Sequence, residues 1–398
     1  MSCMGAQRTV ELLLVAALSA SALALSVDWD YLIWIPRDPT ADPLYRFIKN
    51  RRCGYIDQAG RVVMPPVLDC FKDNSGGEFH DGLLEIGVCD GIYVNTKGEK
   101  VIDKGFNRGW DFSEGLAVAM PEYGGKWGYI DKTGEFAISP RFASSGSSMT
   151  DYVWPFENGF AKIEVAGRFG YIDHTGGFVI QPRFLDGDAF HDGMARVVVD
   201  GPCTYIQPLG IDPPEDSHVV PWDAVRKGPL PLCKYTFTDV SGTLISGARY
   251  DYALQFGEGL APVKVGKLWG FIDRKGTMVI APRFENARSF SDGLALVSEK
   301  GLFGYIDRSG AYVIRPSFKH AESFADGRAV VGDIQSGYWY IDHAGNQVIP
   351  GKFAIASPFF KGVAHVKLLS KTRATESIYN GKYAYIDRSG RRIFTYKR

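Results

Sequence analysis

One short unit recurs along nearly the whole chain, and a chain that copies a unit must build its core by stacking the copies. The clearest copy reads Gly293-Leu294-Ala295-Leu296-Val297, Gly301-Leu302-Phe303-Gly304-Tyr305-Ile306-Asp307, Ser309-Gly310 and Tyr312-Val313-Ile314-Arg315-Pro316. Two anchors set its register. The first is an aromatic-Ile-Asp-x-x-Gly turn, with Asp57, Asn95, Asp131, Asp173, Asp239, Asp273, Asp307, Asp342 and Asp387 at the acidic position. The second is Phe-x-x-Gly, running from Phe79 and Gly82 to Phe359 and Gly362. Most neighbouring anchors lie 33 to 36 residues apart, but 66 residues separate Gly193 from Gly259. That interval is two periods, which predicts a decayed unit at about 201–235. Tyr205-Ile206-Gln207-Pro208-Leu209-Gly210 would keep its turn without the acid, and Val225 to Gly228 would take the Phe-x-x-Gly place. The count is then about ten units of about 35 residues, from Pro43 to the chain end.

Within a unit, Leu-Ala-x-Val, aromatic-Gly-Tyr-Ile-Asp and Val-Ile-x-Pro are short runs rich in β-branched and aromatic residues, the composition of strands. The connections carry Gly or Asp-x-x-Gly, which supply positive φ and Asx hydrogen bonds. After residue 26 no long helical period appears, so the class is all-β: a tandem array of three to four antiparallel strands per unit. Three strands joined by reversing turns would invert each following unit. A fourth strand is therefore expected between Val-Ile-x-Pro and Phe-x-x-Gly, for example in Phe284 to Phe290. Four strands of about five residues fit the blade of a β-propeller, although ten blades exceed the usual range of about four to eight. An open β-solenoid, or two rings divided at the Pro-rich decayed unit, are the other arrangements the pattern allows.

These motifs resemble the bacterial WG-repeat proteins. Trp127-Gly128 and Trp269-Gly270 match the name-giving dipeptide, and Phe169-Gly170 and Phe303-Gly304 keep a ring before the glycine. The resemblance covers roughly residues 42 to 395. It departs at Cys53 and Cys203, which take the Trp position, and at Gln207, which takes the Asp position. It implies a repeat architecture and no general activity, so no catalytic residue is carried over.

The 45 basic and 45 acidic residues give zero formal charge. That balance argues against nucleic acid, which calls for a basic stripe, and against binding an anionic membrane by charge alone. Residues 12–25 form an apolar run after Arg8, shorter than the roughly 20 residues of a membrane helix, with small residues at Ala22-Leu23-Ala24. A signal peptide over residues 1–26 is expected, followed by a segment at 27–41 and the array at 42–398, in a secreted or periplasmic protein. An uncleaved anchor is the other reading, and the one that would bring the chain to a membrane. Cleavage would leave Cys53, Cys70, Cys89, Cys203 and Cys233, an odd number. Cys203 and Cys233 bracket the decayed unit and are the candidate disulfide, closing a loop worth roughly 3 to 4 kcal/mol on the chain-entropy estimate; two buried thiols are the alternative. No pair has zinc-ligand spacing.

A metal reading of the repeated Asp131, Asp173, Asp273 and Asp307 fails on coordination. Calcium needs six to eight converging oxygens, whereas one Asp per turn is explained by its own backbone hydrogen bonds. His174 and His343 follow repeat Asp residues, but neighbours on a strand point to opposite faces, so they read as exposed turn residues. Nucleophile elbow, phosphate loop and His-Glu-x-x-His are all missing. No catalytic, metal or cofactor site is therefore expected. Trp127 and Trp269 read as packing between units, with stacking on sugars as the alternative. Gly128, Gly270 and Gly304 read as sites of close packing or unusual backbone angle.

Contacts with a partner are expected where units differ: Ser144 to Tyr152, Asp212 to Trp222 and Ser370 to Asn380. The reading is a non-enzymatic binding or scaffold protein making protein–protein contacts. A cell-envelope glycan binder is second, since the aromatic hairpin looks like cell-wall-binding repeats, and a hydrolase third.

Overall fold

In the seventh unit, Ala295–Glu299, Leu302–Ile306 and Tyr312–Phe318 form an antiparallel meander. The two-residue strand Asn286–Ala287 pairs beside the first of them, facing Ser298 and Val297. The expected fourth strand thus exists, and it belongs to the unit that follows it. Arg108–Gly109 precedes Ala117–Met120, Lys126–Ile130 and Phe136–Ala143 in the same way, and Tyr252–Ala253 precedes Leu260–Val265, Leu268–Asp273 and Met278–Phe284. This is a computed structural model; it describes residues 43–69, 78–86, 91–143, 153–200, 234–245, 247, 249–369 and 381–397, and the regular structure in them is all β.

Each turn follows from its residues. Asp292-Gly293 and Lys300-Gly301 take positive φ at both positions (52° and 83°, 53° and 73°), the two-residue geometry whose twist matches that of paired strands. At Asp307, Oδ1 accepts the N–H groups of Ser309 and Ala311, both within 3.0 Å, and the carbonyl accepts the N–H of Gly310. Asp131, Asp173 and Asp273 make the same turn, and so does Asn95, whose amide oxygen accepts from Lys97 and Glu99.

The described strands give nine units rather than ten. Met194–Asp200 pairs directly with Lys234–Asp239, Val197 facing Thr236. The fifth unit therefore takes its first strand before residues 201–233 and its second strand after them. A doubled interval in sequence is one unit interrupted by an insertion, because antiparallel pairing tolerates a long connection between neighbouring strands at little entropic cost. The decayed unit, the signal segment, residues 27–41 and the Cys203–Cys233 pair lie outside the described residues.

Second and third strands do not pair evenly. Phe303 faces Phe318, yet Tyr305 faces Ile314, so the third strand bulges between them. Proline at 316 sits in that bulge, where its missing N–H leaves no ladder bond unmade. The bulge brings the third strand's backbone onto Gly304. A Cβ there would lie 2.6 Å from both the Ile314 carbonyl oxygen and the Pro316 nitrogen. Gly128 and Gly270 meet Ile138 O and Ile280 O at 2.5 Å in the same manner. Close approach, and not backbone angle, fixes glycine at these places.

Cores lie between units. Tyr171, Ile180 and Phe184 of the fourth pack with Phe190, Ala195 and Val197 of the fifth; Trp269, Phe271 and Ile280 of the sixth pack with Ala287, Phe290 and Val297 of the seventh. The sequence of contacts returns to its start, since Tyr45, Phe47 and Ile56 of the first unit pack with Val363 and Tyr385 of the ninth. Phe47 meets Phe394 at 4.9 Å between ring centroids, and Tyr45 Oη donates to Phe360 O at 3.1 Å. The array is a propeller-like circuit of nine blades, not an open solenoid or two rings.

Candidate functional site

Because every blade is traversed in one order, its connections fall at two ends. One end, the turn face, carries the Phe-x-x-Gly and Asp-x-x-Gly turns. The other, the tip face, carries the hairpin between first and second strands and the passage from third strand to the next short strand.

The turn face joins blade to blade. In each Phe-x-x-Gly turn the residue before glycine sits at positive φ, and in most blades it is acidic: Asp81, Glu114, Asp192, Glu258, Asp292, Asp326. The carboxylate accepts the N–H of the equivalent glycine one blade on, Asp192 from Gly259, Asp292 from Gly327 and Asp326 from Gly362, each at 2.6 Å. The residue after the repeat Asp then reaches back to that acid. His174 lies 3.2 Å from Glu114, Arg274 3.6 Å from Asp192 and Arg388 3.2 Å from Asp326, while His343 meets the Asp292 carbonyl at 2.8 Å. His174 and His343 also stack on Phe156 and Phe324, centroids 4.2 and 4.4 Å apart. They are turn residues as the sequence suggests, but each reaches the acidic position of another blade instead of its neighbouring Asp.

Two further bonds cross the joints. The tyrosine of Gly-Tyr-Ile-Asp donates to a backbone carbonyl of the next blade: Tyr171 to Asp188 and Tyr305 to Glu322, both at 2.7 Å. Tyr385 does the same to Arg46, across the closing joint. Burial pushes the Tyr305 phenol well above its ordinary pKa, so it stays a donor. Arg141, Arg183 and Arg283, in Pro-Arg-Phe, donate to the carbonyls of Gly176, Gly242 and Gly310 in the next blade's turn.

A depression of about 420 Å³ opens on the turn face between the fifth, sixth and seventh blades, lined by Asp192, Glu258, Gly259, Asp273, Arg274 and Arg308 with Lys275. Its acids already accept backbone N–H groups, and among the described residues no group of His, Cys, Asp and Glu is placed to hold a metal ion. Asp131, Asp173, Asp273 and Asp307 stand on separate blades in local turns. Hydrogen bonds hold the Asp131, Asp173 and Asp307 carboxyls below the usual range, the Thr133, Thr175 and Ser309 hydroxyls contributing most.

Trp127 and Trp269 are packing residues, 0% and 4% exposed. Cys53, at the Trp position of the first blade, is buried and disulfide-bonded. Sequence reading missed one buried polar group. Lys162 Nζ donates to Gly187 O at 2.7 Å, lies 3.7 Å from Asp186 and sits 3.9 Å over the Trp154 ring. Arg196 pairs with Asp188 at 2.7 Å and donates to Ala253 O at 2.6 Å. Burial pushes the Lys162 ammonium down, against Asp186 and Asp188. The available signal was a cation at the x of Leu-Ala-x-Val, where other blades bury Val118 and Leu296.

The tip face is where the sequence-variable stretches depart. Residues 144–152 follow the third strand Phe136–Ala143, residues 201–233 follow the first strand Met194–Asp200, and residues 370–380 follow the first strand Val363–Leu368. The stretches themselves lie outside the described residues. Around them the tips hold exposed apolar side chains, Tyr123 at 87% and Ile334 at 74%, with Val165, Val265, Leu268 and Leu369.

A search of curated proteins found no match. Among solved structures, the chain is similar to a eukaryotic initiation factor, at 9% identity and a TM-score of 0.55 over 90% of this chain and 96% of that one. It also matches apo AztD from Citrobacter koseri, at 11% identity, 89% and 94% coverage and a TM-score of 0.41. A third likeness is to BamB from Moraxella catarrhalis, at 9%, 85% and 95% coverage and 0.37. At these identities likeness concerns fold alone. The family model for the WG containing repeat matches residues 93–122, 127–148, 169–201, 235–269, 269–303, 303–332 and 340–371, leaving 202–234 unmatched between the paired strands Met194–Asp200 and Lys234–Asp239. With more than half of its length matched, and the Asx turn after the second strand recurring in the nine described blades, the chain belongs to the WG containing repeat family.

Proposed function

We propose that this is a non-enzymatic binding or scaffold protein, secreted or periplasmic, that makes protein–protein contacts from its tip face. The observation that carries the reading is that all three variable stretches leave the array at that one end of the blades. A rigid circuit with variation confined to one face is the usual arrangement of repeat proteins that bind through non-consensus connections. The turn-face charges, by contrast, are largely engaged between blades. The Cys53 disulfide suits an oxidising compartment. Exposed Trp127 and Trp269 would favour the alternative of a glycan-binding role, and their burial weighs against it.

The test replaces residues 370–380, and separately 144–152, by short Gly-Ser linkers and compares each variant with the parent in pull-downs from envelope extract and on isolated cell-wall glycan. A specific protein retained by the parent and lost on replacement, with unchanged melting, is the expected result. Retention of glycan alone, or of the same proteins by every variant, would overturn the reading.

A further inference from the structure

We infer that the tip face seats the array on an anionic lipid bilayer, through apolar hairpin tips surrounded by basic residues. This goes beyond the scaffold role and concerns the same face.

Zero formal charge conceals a separation. The described first-to-second-strand hairpins carry exposed Lys49, Arg51, Arg52, Arg168, Lys267 and Lys382. Acids at that end include Glu122 and Glu164, but others are engaged locally: Asp251 and Glu285 accept the hairpin N–H groups of Gly266 and Gly301, Glu299 accepts from Tyr312, and Asp333 bonds its own turn through Ser336. At the opposite end, six of the Phe-x-x-Gly turns present a carboxylate and one a lysine, Lys361. Cations such as Arg274, Lys275, Arg308 and Arg388 also lie on the turn face, but most of its Asp-x-x-Gly turns add a further carboxylate, so the hairpin tips are the richer in cations and the turns the richer in acids.

The apolar tips are single residues on separate hairpins: Tyr123 on the third blade, Val165 on the fourth, Val265 and Leu268 on the sixth, Ile334 on the eighth and Leu369 on the ninth. A protein interface concentrates its energy in a contiguous, desolvated centre. Separate apolar points, carried at the same end of successive blades and flanked by cations, instead match a bilayer interface, where each point enters the headgroup region and each cation meets anionic lipid. Tyr123, with an apolar ring and polar tip, suits that boundary. The contact inferred is a peripheral one; among the described residues no helix is long and apolar enough to cross a membrane.

The test is co-sedimentation of the full chain with vesicles of phosphatidylcholine alone and of equimolar phosphatidylcholine and phosphatidylglycerol. Binding is expected to the second and to fall with salt. At roughly 1 kcal/mol per cation near the surface, the double variant R168A/K267A should bind about thirty-fold more weakly. The pair Y123S/I334S, both exposed, should weaken binding at least about ten-fold while leaving the melting temperature unchanged. Equal binding by parent and variants would place the lipid contact elsewhere, including the apolar stretch at 12–25, and overturn the inference. So would sedimentation no greater with anionic vesicles than with neutral ones. Retention on immobilised polyglutamate without vesicle binding would assign the face to an acidic protein instead. None of these failures touches the scaffold reading, which is tested by replacing the variable stretches.

Discussion

Replacing Gly304 tests the physical basis of the repeat. An alanine Cβ would stand 2.6 Å from two backbone atoms of the third strand, Ile314 O and Pro316 N, about 0.8 Å inside ordinary contact at 3.4 Å. Neither atom can swing away as a side-chain end would. Relief requires the bulge to move off the second strand, weakening the pairing of Phe303 with Phe318 and Tyr305 with Ile314. Overpacking of this kind costs about 1 to 3 kcal/mol, and two rigid backbone clashes place Gly304→Ala near the upper end, with Gly304→Val beyond it. The control is Gly301, three residues away. Its φ is +73° and a Cβ there meets nothing within 4 Å. Gly301→Ala therefore suffers only the left-handed backbone strain, about 1 to 2 kcal/mol. Urea unfolding followed by tryptophan fluorescence should rank the variants parent, G301A, G304A, G304V. If G301A were the more damaging alanine, or G304A unfolded with the parent, close approach would not be why this glycine recurs at 128, 170, 270 and 304.

Three other perturbations probe the joints and turns. Tyr385→Phe removes the hydroxyl bond to Arg46 O at the one joint no polypeptide crosses; a loss of about 1 to 3 kcal/mol and faster amide exchange at Tyr45–Lys49 are expected, and unchanged exchange would argue that the ends do not meet. Asp188→Ala leaves Arg196 buried without its carboxylate and should cost about 3 to 5 kcal/mol in urea unfolding; a cost near zero would mean that water reaches the pair. Acid should unfold the array through its turns. Ser336 holds the Asp333 carboxyl at about 2, and Ser309 lowers that of Asp307. Carboxyls depressed in the fold contribute stability above their unfolded pKa of about 4, and that contribution is lost as pH falls through the folded values. Melting temperature should hold from about pH 7 to about pH 5 and drop below about pH 4. Asp307→Asn, which can make the Asn95 turn, should fold at neutral pH with a shallower acid drop; an unchanged drop would exclude that turn as a contributor.

What the sequence discloses is what one blade does by itself. A turn such as Asp307 to Gly310 is written in four adjacent residues, and its Asx bonds need no partner from elsewhere, so composition and spacing suffice. The bulge is half legible: Gly304 and Pro316 recur together, but nothing in their spacing says that one makes room for the other. The count of blades failed at a doubled interval for a related reason. Period measures chain length, and Met194–Asp200 can pair with Lys234–Asp239 whatever the length between them.

The joints were illegible because their partners lie at several different separations in the chain, 17 residues for Tyr305 and Glu322 but 35 for Asp292 and Gly327, and look like independent residues until the blades are stacked. Asp292 reads as a turn residue with positive φ; only the circuit reveals that its carboxylate also holds Gly327. The same stacking converts a neutral composition into a polar object. An acid repeated before the glycine of six Phe-x-x-Gly turns must fall on one face, because blades in register present equivalent positions at equivalent heights. Cations such as Arg168 and Lys267, at the opposite hairpin, must fall on the other. Net charge sums over the chain and discards this order. In a repeat protein the quantity that predicts partners is charge per repeat position, which for this chain gives an acidic turn face bound into its own joints and a basic, apolar-tipped face left for binding.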